Sequence, residues 1–313
     1  VFILLLAFVA CDRDEYFGPI YSKSNDTIDT LALGEFALIG CEGNFQFGNA
    51  SLSTIDLSTS SVQNNVFKNQ NGEALGDVLQ SIYLDRDRMF LVLNNSGLIR
   101  VLSSNSFKQM TNIEGLNSPR HMIGWKGKYF ISDLYDNGLS VIDSATLEKE
   151  AFIPIEGWTE RFAVFNDALF VGEIKGRSIL KITKNLTVSA EVSLHMQPYF
   201  MLTVSNDQHL IVCGNRSDIN QKGVIKKLDA NALVIDSVSL NSTIVYACST
   251  DDRLFILTSR SILEFDANSL KLVKTTTHQL KTPYGMGISS KSNSLLVADA
   301  KDYLSSGSIT IID

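Results

Sequence analysis

A run of β-forming residues ending on a turn residue recurs along most of the chain, closing at Asp56, Ser103, Asp143, Thr183, Asp229, Asp266 and Asp313. The endings step by 47, 40, 40, 46, 37 and 47 residues, a mean near 43, which matches the roughly 40–45 residues of one β-propeller blade. A unit of that size cannot bury its apolar face alone, so it must stack against like neighbours. The phrase reads most clearly at Gly138-Leu-Ser-Val-Ile-Asp143 and Ser261-Ile-Leu-Glu-Phe-Asp266. Apolar residues alternate with the period of a strand buried on one face, and the closing Asp can accept hydrogen bonds from backbone amides ahead of it, starting a tight turn.

A second strand precedes each phrase, at Phe36–Cys41, Met89–Leu93, Lys128–Ser132, Ala168–Gly172, His209–Cys213, Arg253–Leu257 and Ser294–Ala298. Before most of these lies another apolar stretch, such as Phe162–Phe165 or Met201–Val204, joined by an Asn-Asp, Lys-Gly or Asp-Asp turn. With the segment after the Asp, such as Ala151–Ile155, each repeat holds four strands. The expected fold is an all-β, seven-bladed β-propeller over residues 31–313. Blade one is expected to begin at its second strand, and the C-terminal strands that would complete the ring are expected to be missing from the chain.

Val1–Ala10 is an apolar run of signal-peptide length, too short to span a bilayer, and it stops at Cys11 with the small Ala10 before it. It resembles a lipobox, which makes 1–11 a lipoprotein signal with lipidation at Cys11 and 12–30 a tether; the bland alternative is an ordinary secretory signal or a stray apolar N-terminus. The acidic Asp12, Asp14 and Glu15 resemble the tag that follows the lipidated Cys in Bacteroidota lipoproteins carried to the outer face of the outer membrane. Cys41, Cys213 and Cys248 then remain, an odd number that forms no closed disulfide framework. They are expected as buried free thiols, bridged only if neighbouring strands align two of them, with Cys213 and Cys248 the plausible pair. A net charge of −7 without a Lys/Arg cluster argues against nucleic acid or an anionic membrane surface as a partner.

No nucleophile elbow, His-Glu-x-x-His, phosphate loop or zinc-spaced Cys pair occurs, and the four histidines are scattered. No cofactor is implied. Candidate binding residues come instead from position. In an antiparallel four-stranded blade, the loop between strands two and three and the crossover to the next blade emerge on the same face. The crossovers bring Gln80, Arg120, His121, Trp158, Glu160, Arg161, Tyr199, Tyr246 and Tyr284 there, and the loops add Asn44, Phe45, Asn95, Tyr135, Glu173, Arg216, Asp302 and Tyr303. Aromatic faces to stack on and polar groups to orient are what a large polar ligand needs. The bland reading is that crossover Pro and Tyr residues stiffen blade junctions and an Arg only neutralises a neighbouring Glu.

Lys128-Tyr-Phe-Ile-Ser-Asp…Asn137-Gly-Leu-Ser-Val-Ile-Asp143 after Ser118-Pro-Arg120 resembles the YncE-like seven-bladed propellers. The block Glu42-Gly-Asn-Phe…Gly48-Asn-Ala-Ser-Leu52, with Leu75-Gly-Asp-Val…Gln80-Ser81 and Asn94-Asn95-Ser96, is similar to Bacteroidota surface-lipoprotein propellers that capture cobalamin for a TonB-dependent transporter. The resemblance implies a non-enzymatic capture protein anchored by lipid in the outer membrane and facing the cell exterior, with a corrinoid as first ligand and the transporter as partner. Two other classes stand beside it. One is a lactonase-type hydrolase holding a divalent cation through Glu42, Asn95, Asp133 and Glu173; the other is a protein- or glycan-binding scaffold.

Overall fold

Each stretch of alternating apolar residues forms a strand, and the strands gather into seven sheets, the blades of an all-β propeller. The computed structural model describes residues 3–7 (backbone), 36–204, 208–218, 221–289, 292 and 294–312. The strands divide between two compact units, Val1–Pro119 with Gly287–Asp313, and Arg120–Met286.

In the first unit, blade 1 consists of β1 (Ile3–Ala7), β2 (Phe36–Cys41), β3 (Ser51–Asp56) and β4 (Val62–Gln63). A short helix, α1 (Val66–Asn71), leads to blade 2, formed by β5 (Leu79–Asp85), β6 (Arg88–Leu93), β7 (Leu98–Ser103) and β8 (Gln109–Ile113). The second unit contains blade 3, with β9 (Pro119–Trp125), β10 (Lys128–Asp133), β11 (Gly138–Asp143) and β12 (Lys149–Pro154). Blade 4 follows as β13 (Thr159–Phe165), β14 (Ala168–Glu173), β15 (Ser178–Ile182) and β16 (Val188–Ser193). Blade 5 is β17 (Gln197–Val204), β18 (His209–Asn215), β19 (Gly223–Leu228) and β20 (Val234–Ser239). Blade 6 is β21 (Tyr246–Ser249), β22 (Arg253–Leu257), β23 (Ser261–Asp266) and β24 (Leu272–Thr277). Blade 7 has three strands among the described residues, β25 (Pro283–Ile288), β26 (Leu295–Asp299) and β27 (Ser308–Ile312).

The recurring Asp acts as its chemistry suggests. At Asp143 the carboxylate accepts the amides of Ala145 and Thr146 at 2.9 and 2.8 Å, while the backbone closes the turn from Leu147 N–H to Asp143 C=O at 2.9 Å. Asp56 repeats the arrangement with Ser58 and Thr59, and Asp266 with Ser269. The hydroxyls of Ser58 and Ser269, and then backbone amides, hold the Asp56 and Asp266 carboxyls below the usual range, while at Asp143 the amides of Thr146 and Ala145 do so.

The core forms layers between successive blades. Trp125, Phe130 and Val141 of blade 3 meet Phe162 and Val171 of blade 4. Phe165 and Phe170 of blade 4 meet Met201, Leu210 and Val212 of blade 5, whose Ile211 and Ile225 meet Leu254, Ile256 and Phe265 of blade 6. In the first unit, Leu38 and Leu52 pack with Leu79, Met89 and Leu91, and Ala37 and Ile39 with Leu296 and Ala298. Burial falls outward within a blade: every residue of β14 is buried, whereas five of the six in each of β16, β20 and β24 are exposed.

Blade 1 differs from expectation at both ends. The inner position that the sequence leaves vacant holds β1, which runs parallel to β2 with Ile3 opposite Phe36 and Ala7 opposite Gly40. An uncovered β2 would present unpaired N–H and C=O groups, and an extended segment satisfies them. On the outer side the fourth strand is only two residues long, and α1 takes over, burying Val66 and Phe67. The lipidation residue Cys11 and the 12–30 tether lie outside the described residues.

Cys41, Cys213 and Cys248 lie on the expected strands and no disulfide joins them among the described residues; Cys41 and Cys213 are buried as expected, and Cys248 is half-buried. Burial raises the Cys213 thiol strongly and pushes Cys248 up to about 12, so both stay protonated and unreactive at neutral pH.

Candidate ligand-binding site

Two strands of the second unit begin irregularly. Thr159 lies opposite Glu173 and Phe162 opposite Val171, which leaves one extra residue in the Glu160-Arg161 stretch of β13. In β17, Pro198 lies opposite Gly214 and Phe200 opposite Cys213, so Tyr199 is the extra residue. A bulge interrupts the alternation and re-aims the side chains it carries, a device common beside binding sites. Gly214 makes the second bulge possible, because a Cβ there would overlap the Gln197 carbonyl oxygen.

The re-aimed residues meet at a buried carboxylate. Glu160, whose side chain is 5% exposed, accepts Arg120 Nε and Nη2 on Oε1 at 2.9 and 2.7 Å. The same oxygen accepts Trp158 Nε1 at 2.7 Å, and Oε2 lies 3.1 Å from His121 Nε2. Burial alone would raise the Glu160 carboxyl, but the hydrogen bond from His121 and the charge of Arg120 outweigh it and hold the group at about 2. His121 moves down to about 4 because burial, and then the nearby Arg161 charge, disfavour the imidazolium more than Glu160 favours it. At neutral pH the site therefore holds an ionised Glu160, a neutral His121 donating through Nε2, and two arginine charges.

Trp158 is fixed from behind. Glu173 accepts its backbone N–H at 3.0 Å and that of Lys175 at 3.0 Å, and it also bonds the amide of Gly176. Gly157, at φ +111°, leaves the room that this carboxylate fills. Arg120 lies over the Trp158 ring, 5.7 Å from its centroid.

Arg161 lies apart from the carboxylate. Its guanidinium sits 4.8 Å from the Phe200 ring centroid and 5.3 Å from that of Tyr246, two rings that tilt against each other at 4.9 Å. Arg161 is half-buried, and among the described residues no carboxylate pairs with it. Tyr199 donates its hydroxyl to Gln197 Oε1 at 3.0 Å, and burial followed by the Glu160 charge raises its phenol. The arrangement offers a half-buried cation set against a pair of adjacent aromatic rings, where an anionic or carbonyl oxygen can bind while a planar body stacks beside it.

Of the sequence-derived candidates, the structure thus gathers Arg120, His121, Trp158, Glu160, Arg161, Tyr199 and Tyr246, and it adds Gln197 and Phe200. Glu173 lies behind the cluster as a brace. Tyr135, 66% exposed, rides on a loop that Asp133 folds by accepting the amides of Tyr135 and Asp136 at 2.9 and 3.1 Å. Arg216 points to Ser239 Oγ at 3.1 Å, outside the cluster, and Tyr284 is half-buried at the start of β25.

In the first unit, Gln80 is buried in a bulge of β5. Asn95 donates to Asp77 at 2.6 Å, and the amide of Asn44 donates to Asn49 Oδ1 at 2.7 Å. Phe45 is 62% exposed, Tyr303 is 48% exposed, and Asp302 folds its own loop by accepting the amides of Leu304 and Ser305 at 3.0 and 2.7 Å. Among the described residues, no three His, Cys, Asp or Glu side chains converge as a cation site. Asp133 and Glu173, two of the four oxygen ligands considered for a hydrolase, are instead bound to backbone amides of their own loops.

No protein-family model matches the chain, and no curated protein matches it in sequence. Solved structures match it in fold. The β-propeller domain of Myceliophteria thermophila Cps50 (Swd1) superposes with a TM-score of 0.66 at 8% identity, over 88% of this chain and 92% of that one. Kuenenia stuttgartiensis hydrazine synthase gives 0.60 at 10% identity over 67% and 70%. Dihydro-heme d1 dehydrogenase NirN, solved in complex with DHE, gives 0.58 at 11% identity over 84% of this chain and 62% of its own. At these identities the similarity establishes the propeller fold, which enzymes and other propellers share.

Proposed function

We propose that this protein is a non-enzymatic capture protein that binds a nutrient-sized ligand, a corrinoid first among the candidates, at the Arg161 cluster. The observation that carries the reading is the half-buried Arg161 guanidinium seated against the adjacent rings of Phe200 and Tyr246, without a carboxylate partner among the described residues. A corrinoid matches it in kind: a broad planar ring for Trp158, Tyr199 and Tyr246, with amide and phosphate oxygens for Arg161. The acid–base groups support binding over turnover, since Glu160 is held ionised by its donors and His121 is held neutral, leaving neither poised to exchange a proton near neutral pH. In this reading Cys11 carries the lipid and the signal Val1–Ala10 is removed, so the mature protein lacks β1 (Ile3–Ala7) beside β2; 12–30 is the tether, the domain faces the cell exterior, and cargo passes to a TonB-dependent outer-membrane transporter.

The test is titration of the protein with cyanocobalamin and cobinamide, followed by absorbance and calorimetry. Saturable binding is expected, weakened at least about tenfold by Arg161→Ala, as loss of a charge-assisted contact implies. A panel giving neither heat nor spectral change removes corrinoids. Labelled palmitate incorporated by the full-length protein and lost in Cys11→Ala would support the anchor.

A further inference from the structure

A groove of about 350 Å³ opens in the second unit between blades 4 and 5, lined by Arg177, Arg216, Lys226, Ser217, Ser239 and Asp218 among others. We propose that it is a second binding site, selective for a multiply charged tetrahedral oxyanion such as a phosphate monoester or a sulfate. In a chain of net charge −7, three cations converge there against one acid. Asp218 is turned to its own loop, where it accepts the Gln221 amide at 3.1 Å. No carboxylate pairs with Arg177, Arg216 or Lys226 among the described residues.

The hydroxyls are set for the same task. Arg177 Nη1 donates to Ser217 Oγ at 3.2 Å, and Arg216 Nη2 donates to Ser239 Oγ at 3.1 Å. Each serine oxygen that accepts from an arginine keeps its own O–H free to donate, so the pairs form a fork of cation and hydroxyl donors. Burial and then the nearby Arg216 charge lower the Lys226 ammonium, a repulsion that an anion between the two would relieve. A compact point charge beside two planar forks suits a tetrahedral dianion, whose oxygens can be shared among all three.

The site is independent of the corrinoid reading and is tested without it. Inorganic phosphate, inorganic sulfate and a sugar monophosphate are titrated into the protein at constant ionic strength, with chloride as control, and followed by calorimetry and melting temperature. Saturable binding of at least one oxyanion is expected, with Arg177→Ala and Lys226→Met each weakening it roughly tenfold or more. A tighter sugar monophosphate would identify a phosphorylated ligand, and equal affinity for the free ions would identify the ion itself. Arg177 is exposed, so its variant keeps the fold and the test stands even if Lys226→Met loses stability. Heats no larger than those of chloride, or unchanged affinity in Arg177→Ala, would overturn the proposal.

Discussion

His121 and Glu160 make the stability of the second unit sensitive to acid. The unfolded chain protonates histidine near 6.5, whereas buried His121 resists until about 4. As pH falls across that window the unfolded state binds a proton that the folded state refuses, so stability declines, by an amount on the order of 3 kcal/mol when complete. Glu160 acts in the same direction lower down: its carboxylate form is stabilised above 4.5, and that contribution is lost as pH falls from 4.5 towards 2. Urea unfolding at several pH values between 7 and 4.5 is expected to show falling stability in the wild type and a shallower slope in His121→Gln. Equal slopes would mean that His121 is not held neutral. Arg161 is the second cause of the depression, after burial. Arg161→Ala should therefore raise the His121 titration midpoint seen by NMR while it weakens ligand binding, a coupling that a remote or merely exposed arginine would not produce.

The bulges in β13 and β17 turn a regular sheet into a site, and they were the least legible part of it. The strands themselves were readable because alternation survives in Ala168–Glu173 and Arg253–Leu257, where each residue has one obvious face. Arg120, His121, Trp158, Glu160, Arg161, Tyr199 and Tyr246 were readable as a group because the order of strands places every crossover on one face. An extra residue changes which way a side chain points without changing composition, so neither the packing of Arg161 against the Phe200–Tyr246 ring pair nor the Gln197 acceptor could be read beforehand. Glu173 looked like a ligand-facing acid for the same reason: its backbone partners, Trp158, Lys175 and Gly176, are set by loop geometry. Gly214 is where this dependence can be measured. Gly214→Ala forces a methyl group against the Gln197 carbonyl and should cost about 1–3 kcal/mol, as overpacking does. Because β17 must move, the environment of Tyr199 should change too, visible in near-ultraviolet circular dichroism. A variant of wild-type stability with an unaltered spectrum would show that the bulge does not need the glycine.

Packing in layers between blades means that no blade is stable by itself and that protection should follow position across each sheet. The repeat was legible over nearly the whole chain because every unit must solve the same burial problem. The exceptions, β1 beside β2 and α1 after a two-residue β4, fall in blade 1, where the repeat is incomplete. Within the regular blades, β14 is buried along its length and hydrogen-bonded on both sides, by β13 and β15. By contrast, β16, β20 and β24 each pair on one side only in their sheet order and are mostly exposed. Opening β16 uncovers little apolar surface, whereas opening β14 breaks the layers on both faces, among them the Phe165–Phe170 contact with ring centroids 6.3 Å apart. Native-state hydrogen exchange should therefore rank amides by strand, with Leu169–Gly172 and Leu210–Cys213 exchanging only through global opening and the fourth-strand amides of blades 4 to 6 exchanging through local fraying. Phe170→Ala, which empties part of the layer between blades 4 and 5, is expected to cost about 3–5 kcal/mol. It should accelerate exchange in β14 and β18 far more than in β16, whose amides already exchange without breaking that layer. Uniform acceleration in all of these strands would indicate that the second unit opens as one block and that the layers do not act as separate energetic units.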